Sequence, residues 1–553
     1  MNWFDNAVVY HIYPLGYCGC PHDNPFSGGA PVPSPVSRIA EQIPVIKEQG
    51  FNTIFFGPVF ESSHHGYDTA DYLTIDRRLG TNEDFAELCR KIHDAGLKVI
   101  LDGVFNHVGR EFWAFRDVRE KKFGSRYKDW FHIREGNSGD NDGFFYEGWE
   151  GFYDLVKLNL YNGEVKDHLK SAVSKWVELF GIDGLRLDVA YCLDLNFLKE
   201  LHNHCKGIRG DFWLMGETLH GDYNKWMNPE MLDSTTNYEC YKGIYSSFND
   251  MNMFEIAHSL NRQFGGENWC LYRGKKLYTF VDNHDVSRIA SIVKYKEHLP
   301  GIYTLLFTMP GIPGVYYGSE YGVQGMKQKG SDDVLRPEFH VGDYTKAGTS
   351  ALTLQISKLT RAHAALRPLY DGTYRQVELR NRQFAFARQA ENETVYVLIN
   401  TDGEAADFNL QGSGVYTDWL SGRKVDISGR IPVDAYGSMV LYVDNGSYTT
   451  NKTQELTYEQ PKGTTVAAAV PAVSFDTKST PQSEQNGAAG KETAEKISGL
   501  EAEVNRLALK ERELTDSLAA ANAENVRLSE EIAKQKTELY RKIEEKLKDI
   551  FGT

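Results

Sequence analysis

Three stretches of the chain end alike. KEQG precedes FNTIFFGPV, HDAG precedes LKVILDGVFN, and ELFG precedes IDGLRLDVA, so that an amphipathic run meets an apolar one through Gly50, Gly96 or Gly181. Glycine at such a junction supplies the left-handed cap with which helices end, and each pair predicts a helix followed by a strand. In the middle pair Thr81 and Asp84 have capping-box spacing, while Phe85, Leu88, Cys89 and Ile92 trace one helical face. The apolar runs are continuous instead of alternating, the pattern of parallel strands covered on both sides. Further strands are expected at 8–15, 212–217, 277–285 and 314–320, with 234–239 as the weakest. An α/β fold follows; a (β/α)8 TIM barrel is the economical arrangement, and a doubly wound sheet is the alternative.

Residues 107–160 interrupt this rhythm with a polar and aromatic insertion too long for a plain loop. From 370 to 443 short strands and turns, as in RQFAFARQ and ETVYVLIN, predict an antiparallel β-sandwich, so the barrel with its insertion spans 1–369. Residues 444–490, rich in Thr, Ser, Gly, Pro and Ala, read as a flexible linker. In 491–553 Ile497, Leu500, Val504, Leu507, Leu514 and Leu518 fall on a 3,4 spacing. A coiled coil is expected there, and with it a homo-oligomer built through the C-terminal helix; a lone amphipathic helix packed back on the protein is the other reading.

Composition narrows the function. With 41% hydrophobic residues in 553 the chain can bury a large core, and a net charge of −15 argues against a general nucleic-acid binder. No apolar run of about 18 residues suggests a membrane span. The amino terminus, MNWFDNAVVYHIYP, lacks a signal peptide's basic start and apolar stretch, and a cytoplasmic location is expected. The seven cysteines include no pair of CxxC motifs that would hold zinc, and all are expected to be free thiols.

Charged residues appear where the strands should be driest. In GLRLDVA, Arg186 and Asp188 sit two apart and so project to one face. A buried structural ion pair would account for one such strand. Other strands end similarly: Asp102 and His107 after the third, Glu217 after the fifth, and Asp282, His284 and Asp285 after the seventh. Carboxyl ends of barrel strands form the mouth where active sites lie, and three acids, Asp188, Glu217 and Asp285, would converge there. Paired carboxylates in one cleft are the apparatus of glycoside hydrolysis. Hard-cation sites are the rival, but they favour acids close together on one loop, and no metal ligand is assigned. Arg186 would hold Asp188 ionised, as a nucleophile requires, while a Glu without such a partner keeps a raised pKa and serves as acid.

DGVFNH, GLRLDVA, GE at 216–217 and FVDNHD, in this order, resemble the four sequence regions of the α-amylase family, glycoside hydrolase family 13. GYDTADY at 66–72 resembles the segment after that family's second strand, and the similarity spans about residues 1–443. It implies that Asp188 is the nucleophile of a retaining mechanism, Glu217 the acid and base, and Asp285 the residue that binds sugar hydroxyls. It also implies that Arg186 orients Asp188, that His107 and His284 contact the sugar, that Tyr67 stacks beneath it, and that Asp332 and Arg336 grip it. Trp226 is the candidate for stacking on the acceptor side; Trp113, Trp130 and Trp149 could stack on sugars or pack in the core. No cofactor is required, although Asn106 resembles a calcium ligand of many members and leaves bound calcium open. KLNLYN at 157–162 resembles a motif of the cyclomaltodextrinase and neopullulanase group, with Val156 where that group has Pro. The expected partner is an α-1,4-glucan oligosaccharide. Alternatives are a glucosyl transferase that uses the same intermediate and a catalytically silent binding scaffold.

The tail generates a first prediction: sedimentation should give a larger assembly for the full chain than for a truncation after residue 443. Equal monomer masses would show that the tail does not associate.

Overall fold

The computed structural model describes residues 2–140, 142–345 and 350–443. The expected linker and coiled coil lie outside these residues. Eight parallel strands form one sheet: β1 (Val9–Ile12), β2 (Thr53–Phe56), β3 (Lys98–Gly103), β4 (Gly184–Leu187), β5 (Trp213–Gly216), β6 (Ser234–Thr235), β7 (Tyr278–Thr279) and β8 (Ile312–Tyr316). Strand β1 pairs with both β2 and β8, and a bridge between Thr236 and Tyr278 joins the β6 and β7 edges. The sheet therefore closes on itself as a barrel, which decides against the doubly wound alternative.

Helices α1 (Ile39–Glu48), α2 (Asn82–Asp94), α3 (Gly163–Phe180) and α4 (Leu195–Ile208) follow the first four strands. Gly50, Gly96 and Gly181 all have positive φ, and the capping box of Thr81 and Asp84 is formed. After β5 the ring of helices is interrupted by a single 3-10 turn, Tyr223–Lys225. Two helices, α5 (Tyr238–Asn249) and α6 (Phe254–Phe264), follow β6 instead; α7 (Leu299–Thr308) and α8 (Ala351–Ala365) complete the ring.

Alternation along the strands divides the core in two. Ile54, Phe56, Val99, Leu101, Leu185, Leu187 and Leu214 face the helices. Val9, Phe55, Ile100, Trp213, Met215, Tyr278 and Ile312 fill the barrel, whose floor is sealed by Phe4 and Ala7 with Trp3 packed against them. Phe4 stacks on Trp213 at 5.6 Å. Gly184, the register partner of Trp213, has the same inward parity, and a Cβ there would lie 2.5 Å from the Trp213 carbonyl oxygen and 2.8 Å from Ile100 Cδ1. Arg186 is the next inward position, one layer closer to the mouth.

The insertion after β3 contains a three-stranded antiparallel sheet, with Phe152–Lys157 between His107–Gly109 and Gly148–Trp149. Trp113 and Trp130 pack with His168 of α3, and Trp130 Nε1 donates to Glu164 Oε2 at 2.9 Å. These two tryptophans fasten the insertion to the barrel. Beyond α8 the chain forms a six-stranded antiparallel sheet, beginning at Thr373–Leu379, and a two-stranded ribbon of Ala406–Phe408 with Ile431–Val433. Leu398, Phe408, Ile431 and Leu441 pack between the sheet and the ribbon. Among the described residues no helix is long and apolar enough to cross a membrane, and the seven cysteines are free.

Because the Gly184 clash is partly with backbone, it has little room to relax. Gly184→Ala is expected to lower stability by about 3 kcal/mol in denaturant unfolding, at the upper end for overpacked cores.

Candidate active site

The carboxyl ends of β3, β4 and β5 converge on one arginine. Arg186 and Asp102 are cross-strand register partners. Arg186 Nη1 donates to both Asp102 oxygens at 2.8 Å and to Asp188 Oδ1 at 2.9 Å, while Nη2 lies 2.9 Å from Glu217 Oε2. All four side chains are buried. Asp188 is the first residue beyond β4, and Val189 after it has φ 39°, a conformation that β-branched residues rarely take. That bend aims the Val189 N–H at Glu217 Oε2, 3.1 Å away. Tyr238 at the start of α5 donates to Glu217 Oε1 at 3.3 Å and accepts from Asn283 Nδ2 at 3.1 Å.

A second cluster forms at β7 and β8. His284 Nε2 lies 2.9 Å from Asp285 Oδ2, and the His284 ring stacks on Tyr67 at 5.5 Å and 10°. The Tyr67 hydroxyl hydrogen-bonds His284 Nε2 and donates to Asp102 at 3.1 Å, which ties the two clusters together. Arg336 Nη2 donates to Asp285 Oδ1 at 3.1 Å and to Asp332 Oδ2 at 3.2 Å, with its guanidinium 4.7 Å over the Tyr13 ring. A cleft of about 610 Å³ opens beside this cluster, lined by Tyr13, His65, Lys327, Asp332 and Arg336 among others.

Charge separates the carboxyls. Burial pushes Asp188 well above the usual range; Arg186 pulls it down, and Glu217, Asp102 and Asp285 push it further up, so that, contrary to the expectation from the sequence, Arg186 alone does not hold Asp188 ionised in the unliganded protein. Three carboxylates around one guanidinium leave an excess of negative charge, so the cluster keeps a proton to higher pH than a free carboxylate does. Asp285 behaves oppositely: removal from water raises it, but His284, Arg336 and Arg186 outweigh that and hold it well below the usual range. Burial pushes the His107 imidazole down to about 3, so it is neutral. The Asn106 amide lies 3.1 Å from His107 Nδ1, which leaves Nε2 to carry the proton, 3.9 Å from Asp188 Oδ2.

The structure gathers Tyr67, His107, Arg186, Asp188, Glu217, His284, Asp285, Asp332 and Arg336 around one mouth, and corrects two details. Trp226 is only 6% exposed and packs within the core, so it offers no open face to a sugar. Glu217 is not without a cationic partner, because Arg186 reaches it as well as Asp188. Asp102 braces Arg186 and Tyr67. Asp282 turns away to accept from Ser319 Oγ and the Ile289 N–H. Among the described residues no group of three or more His, Cys, Asp or Glu is arranged to hold a metal ion. Tyr13, Tyr238, Asn283 and Lys327 are site residues that sequence reading missed. The signal available for Tyr238 was its place just beyond the weak sixth strand.

The sequence pattern of the alpha amylase catalytic domain matches residues 36–346. The chain belongs to the α-amylase family. A cyclomaltodextrinase of Geobacillus thermopakistaniensis is 31% identical over 428 residues, 74% of this chain and 71% of the relative. Neopullulanase 2 of Thermoactinomyces vulgaris is 31% identical over 459 residues, 77% of this chain and 75% of that one. Among solved structures, a cyclic α-maltosyl-(1→6)-maltose hydrolase from Arthrobacter globiformis superposes with a TM-score of 0.68 at 26% identity, covering 80% of this chain and 99% of that one. This α-amylase family member is a glycoside hydrolase.

In this enzyme a raised Asp188 carboxyl costs stability as pH climbs from the ordinary carboxylate range through its folded value, because the folded state binds the proton more tightly than the unfolded chain. Asp188→Asn removes that cost. It is expected to abolish turnover while raising Tm at neutral and alkaline pH, with the gain vanishing toward pH 4; thermal unfolding across pH measures it.

Proposed function

We propose that the enzyme cleaves α-1,4-glucosidic bonds of malto-oligosaccharides or cyclodextrins with retention of configuration, through a covalent glycosyl intermediate on Asp188. The observation that carries this reading is the single Arg186 guanidinium touching both Asp188 and Glu217 at 2.9 Å. One short cation spanning both carboxyls favours the close spacing of a retaining enzyme, roughly 5 Å, over the wider gap that admits a water between them. The naming of relatives for cyclomaltodextrins and pullulan-related activity supports the substrate class.

The steps follow from the charge pattern. Glu217 donates a proton to the departing glucosidic oxygen. Asp188 attacks the anomeric carbon as that bond breaks. Glu217, now a carboxylate, takes a proton from water, which attacks the same carbon and releases Asp188. Asp285 stays ionised throughout and accepts from sugar hydroxyls, while the neutral His107 donates through Nε2. Calcium would act outside these steps.

Chromatography of products over time, with maltoheptaose, β-cyclodextrin and pullulan offered separately, tests the proposal. Products shorter than the substrate alone are expected. Early products longer than the substrate would show that a sugar hydroxyl intercepts the intermediate, and binding without any reaction would make the chain a scaffold.

A further inference from the structure

Two buried ionisable side chains at the mouth take no part in the steps above. Arg288, three residues past Asp285, is 0% exposed, and Asp282, three residues before it, is buried too. Ser319 Oγ joins them: it accepts from Arg288 Nη1 at 3.0 Å and donates toward Asp282, whose two oxygens both lie 2.9 Å away. The other bonds of the Arg288 fork go to backbone. Nη1 donates to the Tyr317 carbonyl at 2.6 Å and Nη2 to the Leu335 carbonyl at 2.9 Å, with the guanidinium 4.0 Å over the Tyr316 ring.

A guanidinium is costly to remove from water, and an apolar side chain would fill the same space more cheaply. What the cation adds is span. Its planar fork joins the loop after β7, which carries His284 and Asp285, to two points on the loop after β8, which carries Asp332 and Arg336. Two further bonds run between the same loops: the Arg288 N–H donates to the Gly325 carbonyl at 2.8 Å, and the Lys327 N–H to Ser287 Oγ at 2.9 Å. Gly325 lets the second loop fold back on itself, since a Cβ there would lie 2.4 Å from the Val334 carbonyl oxygen. Leu335, whose carbonyl Arg288 holds, immediately precedes Arg336, and Arg336 donates to Asp285 Oδ1 and to the His284 carbonyl, each at 3.1 Å. A circuit closes: from Asp285 three residues along the chain to Arg288, across to Leu335, one residue on to Arg336, and back to Asp285.

We infer that Arg288 is a positioning residue, which sets Arg336 against Asp285 so that the clamp on the reacting sugar is assembled before the sugar arrives. This rests on the glucan reading above, in which Asp285 accepts from sugar hydroxyls. A misplacement of about 1 Å at such a clamp is enough to slow a reaction severely, and side chains held through a supporting set of hydrogen bonds avoid it.

A double-mutant cycle in the full-length enzyme, measured as kcat/KM for α-maltosyl fluoride, tests the inference. Arg288→Lys keeps the charge and loses the fork; it is expected to lower kcat/KM about tenfold, near the worth of one hydrogen bond to a charged group. In an Arg336→Met background, where the clamp is already broken, the same substitution should lower it by less than about twofold. An equal loss in both backgrounds, or no loss in either, overturns the inference, because a merely structural arginine acts regardless of Arg336. If Arg288→Lys does not fold, Ser319→Ala carries the same cycle: it cuts the bridge to Asp282, leaves both carbonyl bonds, and is expected to lower kcat/KM about threefold with Arg336 present and not without it. An unsubstituted enzyme that leaves α-maltosyl fluoride and maltoheptaose intact sinks the glucan reading and this inference with it, whereas turnover with additive losses sinks the inference alone.

Discussion

One buried guanidinium organises the catalytic half of the molecule. Arg186 meets Asp102, Asp188 and Glu217, acids that come from three neighbouring strands. Removing one partner of a buried ion pair commonly costs several kcal/mol, because the other charge is left uncompensated. Here the arithmetic is lopsided by design of the sequence: three acids compete for one cation, so their mutual repulsion is relieved only by a proton. The same imbalance that burdens the fold supplies a transferable proton and a carboxylate in one place. Such frustration persists where the surrounding barrel over-determines the geometry, which is the usual relation between strain and active sites.

The barrel supplies that over-determination by register. Arg186 sits opposite Asp102 and Met215, and the layer beneath it is closed by Trp213 and Ile100 over the space that Gly184 leaves. A slip of one residue in β4 would turn Arg186 and Asp188 toward the helices and Leu185 and Leu187 into the barrel. The second cluster is anchored differently, through Arg336 and the Tyr67–His284 stack. It leaves Asp285 a third exposed and free to accept hydrogen bonds from a ligand. One cluster is starved of cations and the other is rich in them, and a sugar bound across both would meet a proton donor on one side and a fixed anion on the other.

Much of this was legible in the chain. Helix ends marked by glycine, the capping box of α2 and the charged residues at strand ends are local signals, set by backbone conformation and by a period of two. They located the barrel and the acids at its mouth. Signals that depend on which side chains meet across the barrel were not legible. The reach of Arg186 to Glu217 and of Tyr238 to Glu217 spans different strands, and nothing in the spacing records it. Trp226 misled because a Trp in a polar run reads as exposed, whereas the chain after β5 folds as a 3-10 turn that tucks the ring inward. Strand β7 is only two residues long, so its sequence, LYTFVDNHD, carried the apolar pattern of a strand well beyond the paired residues.

The seal on the barrel floor has a consequence for how the chain reaches its native state. Trp3 Nε1 donates to the carbonyl of Asp211, 208 residues away, and β1 pairs with β8 across an even longer interval. During synthesis, at roughly 5–20 residues per second, the first strand waits tens of seconds for the partner that completes it. Until then one edge of β1 has no final partner. Closing the ring thus requires contacts between residues about as far apart as the barrel sequence allows, the kind of pairing whose loop-closure entropy slows folding.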